Sequence, residues 1–78
     1  MKTQLLQVLD QAEYVDAHDI AEALDVSFAA AAMALLRLVR QDLATRFRDP
    51  ESHVYVYELT PKGEARLDYL LEAEIDDE

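Results

Sequence analysis

The residues of this chain best placed to do chemistry form a short band of cations. Arg37, Arg40, Arg46 and Arg48 lie close together in sequence, with only Asp42 set against them. A guanidinium offers a rigid fork of donors that matches phosphate oxygens. Four in one stretch therefore read as a hold on a nucleic-acid backbone. The plainer reading is a set of surface cations paired with neighbouring carboxylates. Little else in the chain suggests a reactive group. There is no cysteine, and Gly63 is the single glycine, so no glycine-rich phosphate loop exists. His18 and His53 stand far apart without the spacing of metal ligands, and no serine has a plausible catalytic histidine partner. No catalytic residue, cofactor or metal site is expected, and the chain reads as a binding module, not an enzyme.

The bulk properties narrow what it binds. At 78 residues it is one domain. Its hydrophobic content of 51% suits a packed fold, which must hold together without a disulfide or thiolate-bound metal. The net charge of −10 is the reverse of the basic footprint usual in nucleic-acid binders, and its simplest purpose is solubility. The longest uncharged run, Val26 to Leu36, is far short of the roughly 20 residues of a membrane span, so it reads as buried helix. The start of the chain runs directly into an amphipathic pattern, so no secretory leader is expected. The absence of cysteine is compatible with a cytoplasmic location.

These residues need elements to position them. Leu5, Val8, Leu9 and Ala12 recur at helical spacing, predicting a first helix over 3–13 with Thr3 as its cap. Tyr14-Val15 is a short connector. Asp16 caps a second helix whose face is Ala17, Ile20, Ala21 and Leu24, and Asp19 adds charge to its first turn. Asp25-Val26-Ser27 is a tight turn, and Ser27 caps a third helix running from Phe28 to about Gln41. Two extended runs follow, Ala44 to Arg48 and His53 to Leu59, around the turn cluster Asp49-Pro50-Glu51-Ser52. Phe47, Tyr55 and Tyr57 are the expected cover of this hairpin over the core. Thr60 as cap and Pro61 as first residue open a last helix with Ala65, Leu67, Leu70, Leu71 and Ile75 on its apolar side. The domain is expected to occupy residues 1–75, with a frayed acidic tail at 76–78.

At Ile20-Ala21-Glu22-Ala23-Leu24-Asp25-Val26-Ser27 the chain resembles the helix-turn-helix core of MarR-like transcriptional regulators. The likeness continues through Ala31, Leu35, Leu38 and Leu43, through Arg46 and Asp49-Pro50, and closes at Leu59-Thr60-Pro61-Lys62-Gly63. It implies a mostly α fold with a small β-hairpin wing, a winged helix-turn-helix of three-helix core, two-stranded wing and C-terminal helix. It also implies double-stranded DNA as partner, and self-association through the last helix. Two positions depart from the pattern, since Asp25 and Asp42 stand where that family commonly has glycine. Aspartate tolerates the left-handed conformation better than most residues, which keeps the fold possible.

The third helix departs further. Base edges are read by Arg, Lys, Asn, Gln or Ser, whereas this helix opens Phe28-Ala29-Ala30-Ala31-Ala32-Met33-Ala34-Leu35-Leu36. Two readings follow. In the first, the domain is a transcriptional regulator that holds DNA through Ser27, Arg37, Arg40, Arg46 and Arg48, chiefly at the wing. In the second, Phe28, Ala32, Met33 and Leu36 form a protein interface, or Leu67, Leu70 and Leu71 a dimer face.

Overall fold

The computed structural model describes residues 2–12 and 14–73, with the side chain of residue 73 left aside. The order is α1 (Lys2–Gln11), α2 (Ala17–Leu24), α3 (Phe28–Arg40), β1 (Ala44–Arg48), β2 (Tyr55–Leu59) and α4 (Pro61–Ala73). The expected tail at 76–78, and Ile75 on the last helix, lie outside the described residues.

The turn between α2 and α3 is built as its residue types dictate. The Asp16 carboxylate accepts the Asp19 N–H at 2.8 Å, and Asp19 answers by accepting the Asp16 N–H at 3.1 Å. This reciprocal cap satisfies two donors that a helix start leaves orphaned. Asp25 ends α2 in the left-handed region, at φ 56, with its N–H returned to the Ala21 carbonyl. Ser27 then opens α3, its Oγ accepting the Ala30 N–H at 3.1 Å. Asp42 is likewise left-handed, at φ 62, where the chain leaves α3 for the hairpin. Both aspartates thus do the backbone work for which glycine is usually chosen.

The core is apolar throughout. Leu6, Ile20, Leu35 and Leu43 are its largest fully buried side chains, with Ala31 and Leu38 beside them. Complete burial of an aliphatic side chain of this size contributes about 1.5–3 kcal/mol. Strands β1 and β2 pair antiparallel, Arg46 opposite Tyr57 and Arg48 opposite Tyr55. Val15 adds one further bridge on the outer side of β2: its N–H meets the Tyr57 carbonyl at 3.3 Å and its carbonyl accepts the Tyr57 N–H at 2.7 Å.

Several expectations are corrected. Thr3 lies within α1, whose first residue is Lys2. Helix α1 ends at Gln11, so Ala12 lies beyond it and is exposed, and Leu6 is buried because α1 packs against α2, α4 and β2 at once. Strand β2 starts at Tyr55, since His53 is left-handed, at φ 65, and belongs to the turn. Phe47 and Tyr55 do not cover the core: Phe47 stays exposed, edge-on to Tyr14 at 5.7 Å, and Tyr55 is 42% exposed against 5% for Tyr57. The Val15 bridge and α1 enclose Tyr57, whereas Tyr55 sits further out along the wing. On α4, Leu67 and Leu70 are buried but Ala65 and Leu71 are exposed.

One joint ties the wing to both long helices. The Leu43 carbonyl accepts the Thr60 N–H at 3.1 Å, and the Thr60 hydroxyl donates to the Asp42 carbonyl at 2.6 Å while accepting the Gly63 N–H at 3.0 Å. Gly63 lies directly on the Leu43 carbonyl, where a Cβ would collide with backbone. Alanine in a helix is ordinarily worth up to about 1 kcal/mol over glycine. Here the overlap outweighs that gain, so Gly63→Ala is expected to destabilise the domain by about 1–3 kcal/mol. A thermal melt checks this, with a fall in Tm of several degrees expected.

Candidate nucleic-acid interface

Helix α3 turns Ala31, Leu35 and Leu38 inward. At about 100° per residue, the line opposite them is Ala29, Met33, Leu36 and Arg40. Ala29, Met33 and Arg40 are exposed and Leu36 is half-buried. The expected outward set is therefore revised. Met33, half exposed, lies on this line, but Ala32 packs against the core and Phe28 sits to one side. The Phe28 ring, also 50% exposed, leans on the His18 ring of α2 at 4.5 Å. Ser27 is exposed at the positive end of the helix dipole, and its Oγ, already accepting from Ala30, keeps its O–H to donate.

The four arginines of the sequence band fall into separate places. Arg46 and Arg48 are exposed on β1, on the strand face they share with Tyr55 and Tyr57, and lie over one aromatic ring. The Arg46 guanidinium lies 4.3 Å from the centroid of Tyr55 and that of Arg48 lies 5.9 Å from it. Arg48 is further held by its Nε, which donates to the His53 carbonyl at 3.2 Å. The turn that presents His53 is itself fixed. Asp49 accepts the Glu51 N–H on its carboxylate at 3.0 Å and the His53 N–H on its carbonyl at 2.8 Å, and the Ser52 hydroxyl accepts the Val54 N–H at 3.3 Å. The wing therefore offers two oriented, solvent-facing cations.

Arg40 stands exposed in the last turn of α3. Arg37 does not join the wing. It lines a groove with Lys2, Leu5, Ala34, Leu38 and Gln41, and an adjoining groove carries Lys2, Lys62 and Arg66 beside Gln41 and Leu43. Among the described residues no carboxylate is in ion-pair contact with any of the four band arginines. Of the expected dimer residues, Leu67 and Leu70 are taken up by the core, and α4 shows solvent Leu71 and Tyr69 in their place.

Two things escaped the sequence reading. One is Tyr55 as a platform for the wing arginines; its signal was the hairpin register, which sets it opposite Arg48. The other is the second basic group at Lys2, Lys62 and Arg66, whose members are far apart in sequence and meet only through the fold.

No protein-family model matches this chain, and no curated protein does. Solved structures do match. The YusO protein from Bacillus subtilis superposes with a TM-score of 0.86 at 22% identity, over 91% of this chain and 51% of its own. A MepR like protein complexed with pseudoligands gives 0.85 at 30% identity, over 92% and 51%. Wild type MarR from E. coli, in its apo form, gives 0.83 at 21% identity, over 91% and 53%. The chain is thus a winged helix-turn-helix domain that resembles the DNA-binding domain of MarR-like transcriptional regulators, and it spans about half the length of the structures it matches. Among the described residues no helix is long and apolar enough to cross a membrane.

The shared ring makes a spectroscopic prediction. In the native domain the Arg46 side-chain protons are shifted upfield by the Tyr55 ring current. In Tyr55→Leu that shift disappears while Arg40 is unmoved, with a stability loss of only about 0.5–1 kcal/mol, the size of an exposed cation–π contact. Proton NMR of the two forms reads both effects.

Proposed function

We infer that this domain binds double-stranded DNA as part of a transcriptional regulator, with α3 facing the major groove and the wing gripping the phosphate backbone. The observation that carries this reading is the pair Arg46 and Arg48, exposed, held against Tyr55, and without a carboxylate partner among the described residues. Guanidiniums held in place lose less side-chain entropy when they meet a phosphate. Ser27 and Arg40, at the two ends of α3, supply a hydroxyl and a third cation. The MarR-like fold supports the same assignment.

A net charge of −10 repels a polyanion at long range. Affinity then rests on few short contacts, and binding is weak and wing-dominated. A regulator of this kind acts in the cytoplasm and works as a pair. The exposed Tyr69 and Leu71 of α4 are an apolar contact this chain offers for pairing.

The test is the salt dependence of DNA binding, followed by fluorescence anisotropy on a labelled mixed-sequence duplex. The logarithm of affinity should fall linearly with the logarithm of salt. Arg46→Ala and Arg48→Ala should each flatten the slope by about 0.9, one phosphate contact apiece. Arg37→Ala, on the Lys2 side, should leave the slope unchanged. No binding at low salt, or a slope indifferent to both wing substitutions, would overturn the reading.

A further inference from the structure

The exposed surface of α3 is apolar where a groove-facing helix ordinarily carries hydrogen-bonding side chains. Ala29 and Ala30 are exposed, Met33 is half exposed, and none has a strong donor or acceptor to offer a base. The major groove, however, displays one apolar feature beside its donors and acceptors, the C5 methyl of thymine. Cytosine lacks that methyl at the equivalent position. On the assignment of α3 to the groove, it is the one base-specific group these side chains are equipped to recognise.

We propose that α3 reads thymine methyls through Ala29 and Met33, so that the ligand class of this domain is A·T-rich duplex DNA. This rests on the DNA-binding function inferred above. The helix suits the task in three ways. Successive alanines make a slim surface, so the helix axis can sit deeper in the groove than one bearing long polar side chains. Met33 is unbranched, and its polarisable thioether adapts to a row of methyls. Ser27 and Arg40 bracket the apolar stretch, one with a free O–H and one with a guanidinium, so polar contacts to the backbone fall at its ends and the apolar contacts between them. Removal of these surfaces from water supplies discrimination without any base hydrogen bond.

The decisive experiment compares duplexes that differ only in that methyl. Binding is measured to an A·T-only duplex about two helical turns long, and to the same duplex with every thymidine replaced by deoxyuridine. A G·C-only duplex is compared with its 5-methylcytosine form in the same way. Phosphates and minor-groove edges are identical within each pair. The methylated member should bind tighter in both pairs, by about fourfold for each methyl contacted. Met33→Ser, at a half-exposed position that leaves the fold intact, should shrink that ratio. Arg46→Ala should weaken both members equally. Equal, salt-sensitive binding of the thymine and uracil duplexes would overturn methyl readout while leaving wing-mediated DNA binding standing. Binding of neither duplex at low salt would overturn both, and would leave Phe28 and Met33 as a contact for protein.

Discussion

The peptide group of Leu43 is the joint on which the rest of the structure depends. Its N–H returns to the Leu38 carbonyl at 2.9 Å, so it closes α3; its carbonyl receives Thr60, so it anchors α4; and its side chain is fully buried. Strand β1 leaves from this point. The left-handed turn at Asp42 and the close approach of Gly63 are both consequences, since the chain must reverse here and the last helix must start within contact of the same carbonyl. Because one small region fixes the end of α3, the start of the hairpin and the start of α4, the wing has a set direction relative to the helix it flanks. Only then do the wing arginines and the outer line of α3 stand in a fixed relation.

That relation gives the domain two chemically different surfaces. The wing carries charge, ordered by an aromatic ring and a backbone carbonyl. The helix carries methyl groups and a thioether. Phosphate contacts position a protein on a duplex but do not identify sequence, whereas groove contacts identify it. In most groove-facing helices identification is done by hydrogen bonds; here the residues suited to the task are apolar. The acidity of the chain makes the division sharper. On the proposed function, with long-range attraction absent, nonspecific binding is expected to be weak and the modest discrimination of methyl contacts a larger share of the whole.

Much of the fold was legible in the sequence because its signals are local. Asp16 and Asp19, Ser27, and Thr60-Pro61 mark helix starts by hydrogen bonds reaching only three residues, and each stands as expected. The hairpin was legible from Asp49-Pro50. What was not legible depended on neighbours distant in the chain. Tyr55 and Tyr57 share a strand face, yet one is solvent-exposed and the other buried, because Val15 and α1 cover only the inner end of β2. Arg37 shares a sequence band with Arg46 but a groove with Lys2. Of the four residues expected on the outer face of α3, Met33 and Leu36 stand on its outer line, whereas Ala32 packs against the core and Phe28 leans on His18 of the preceding helix.

DNA binding through α3 and the wing is tested most directly by an amide and methyl NMR titration of this chain with a short duplex at low salt. Perturbations should concentrate at Ser27 to Leu36, including the Ala29 and Met33 methyls, and along the wing from Thr45 to Tyr55, with the Lys2–Arg66 groove unmoved. Perturbations centred on that groove, or none at millimolar duplex, would contradict it.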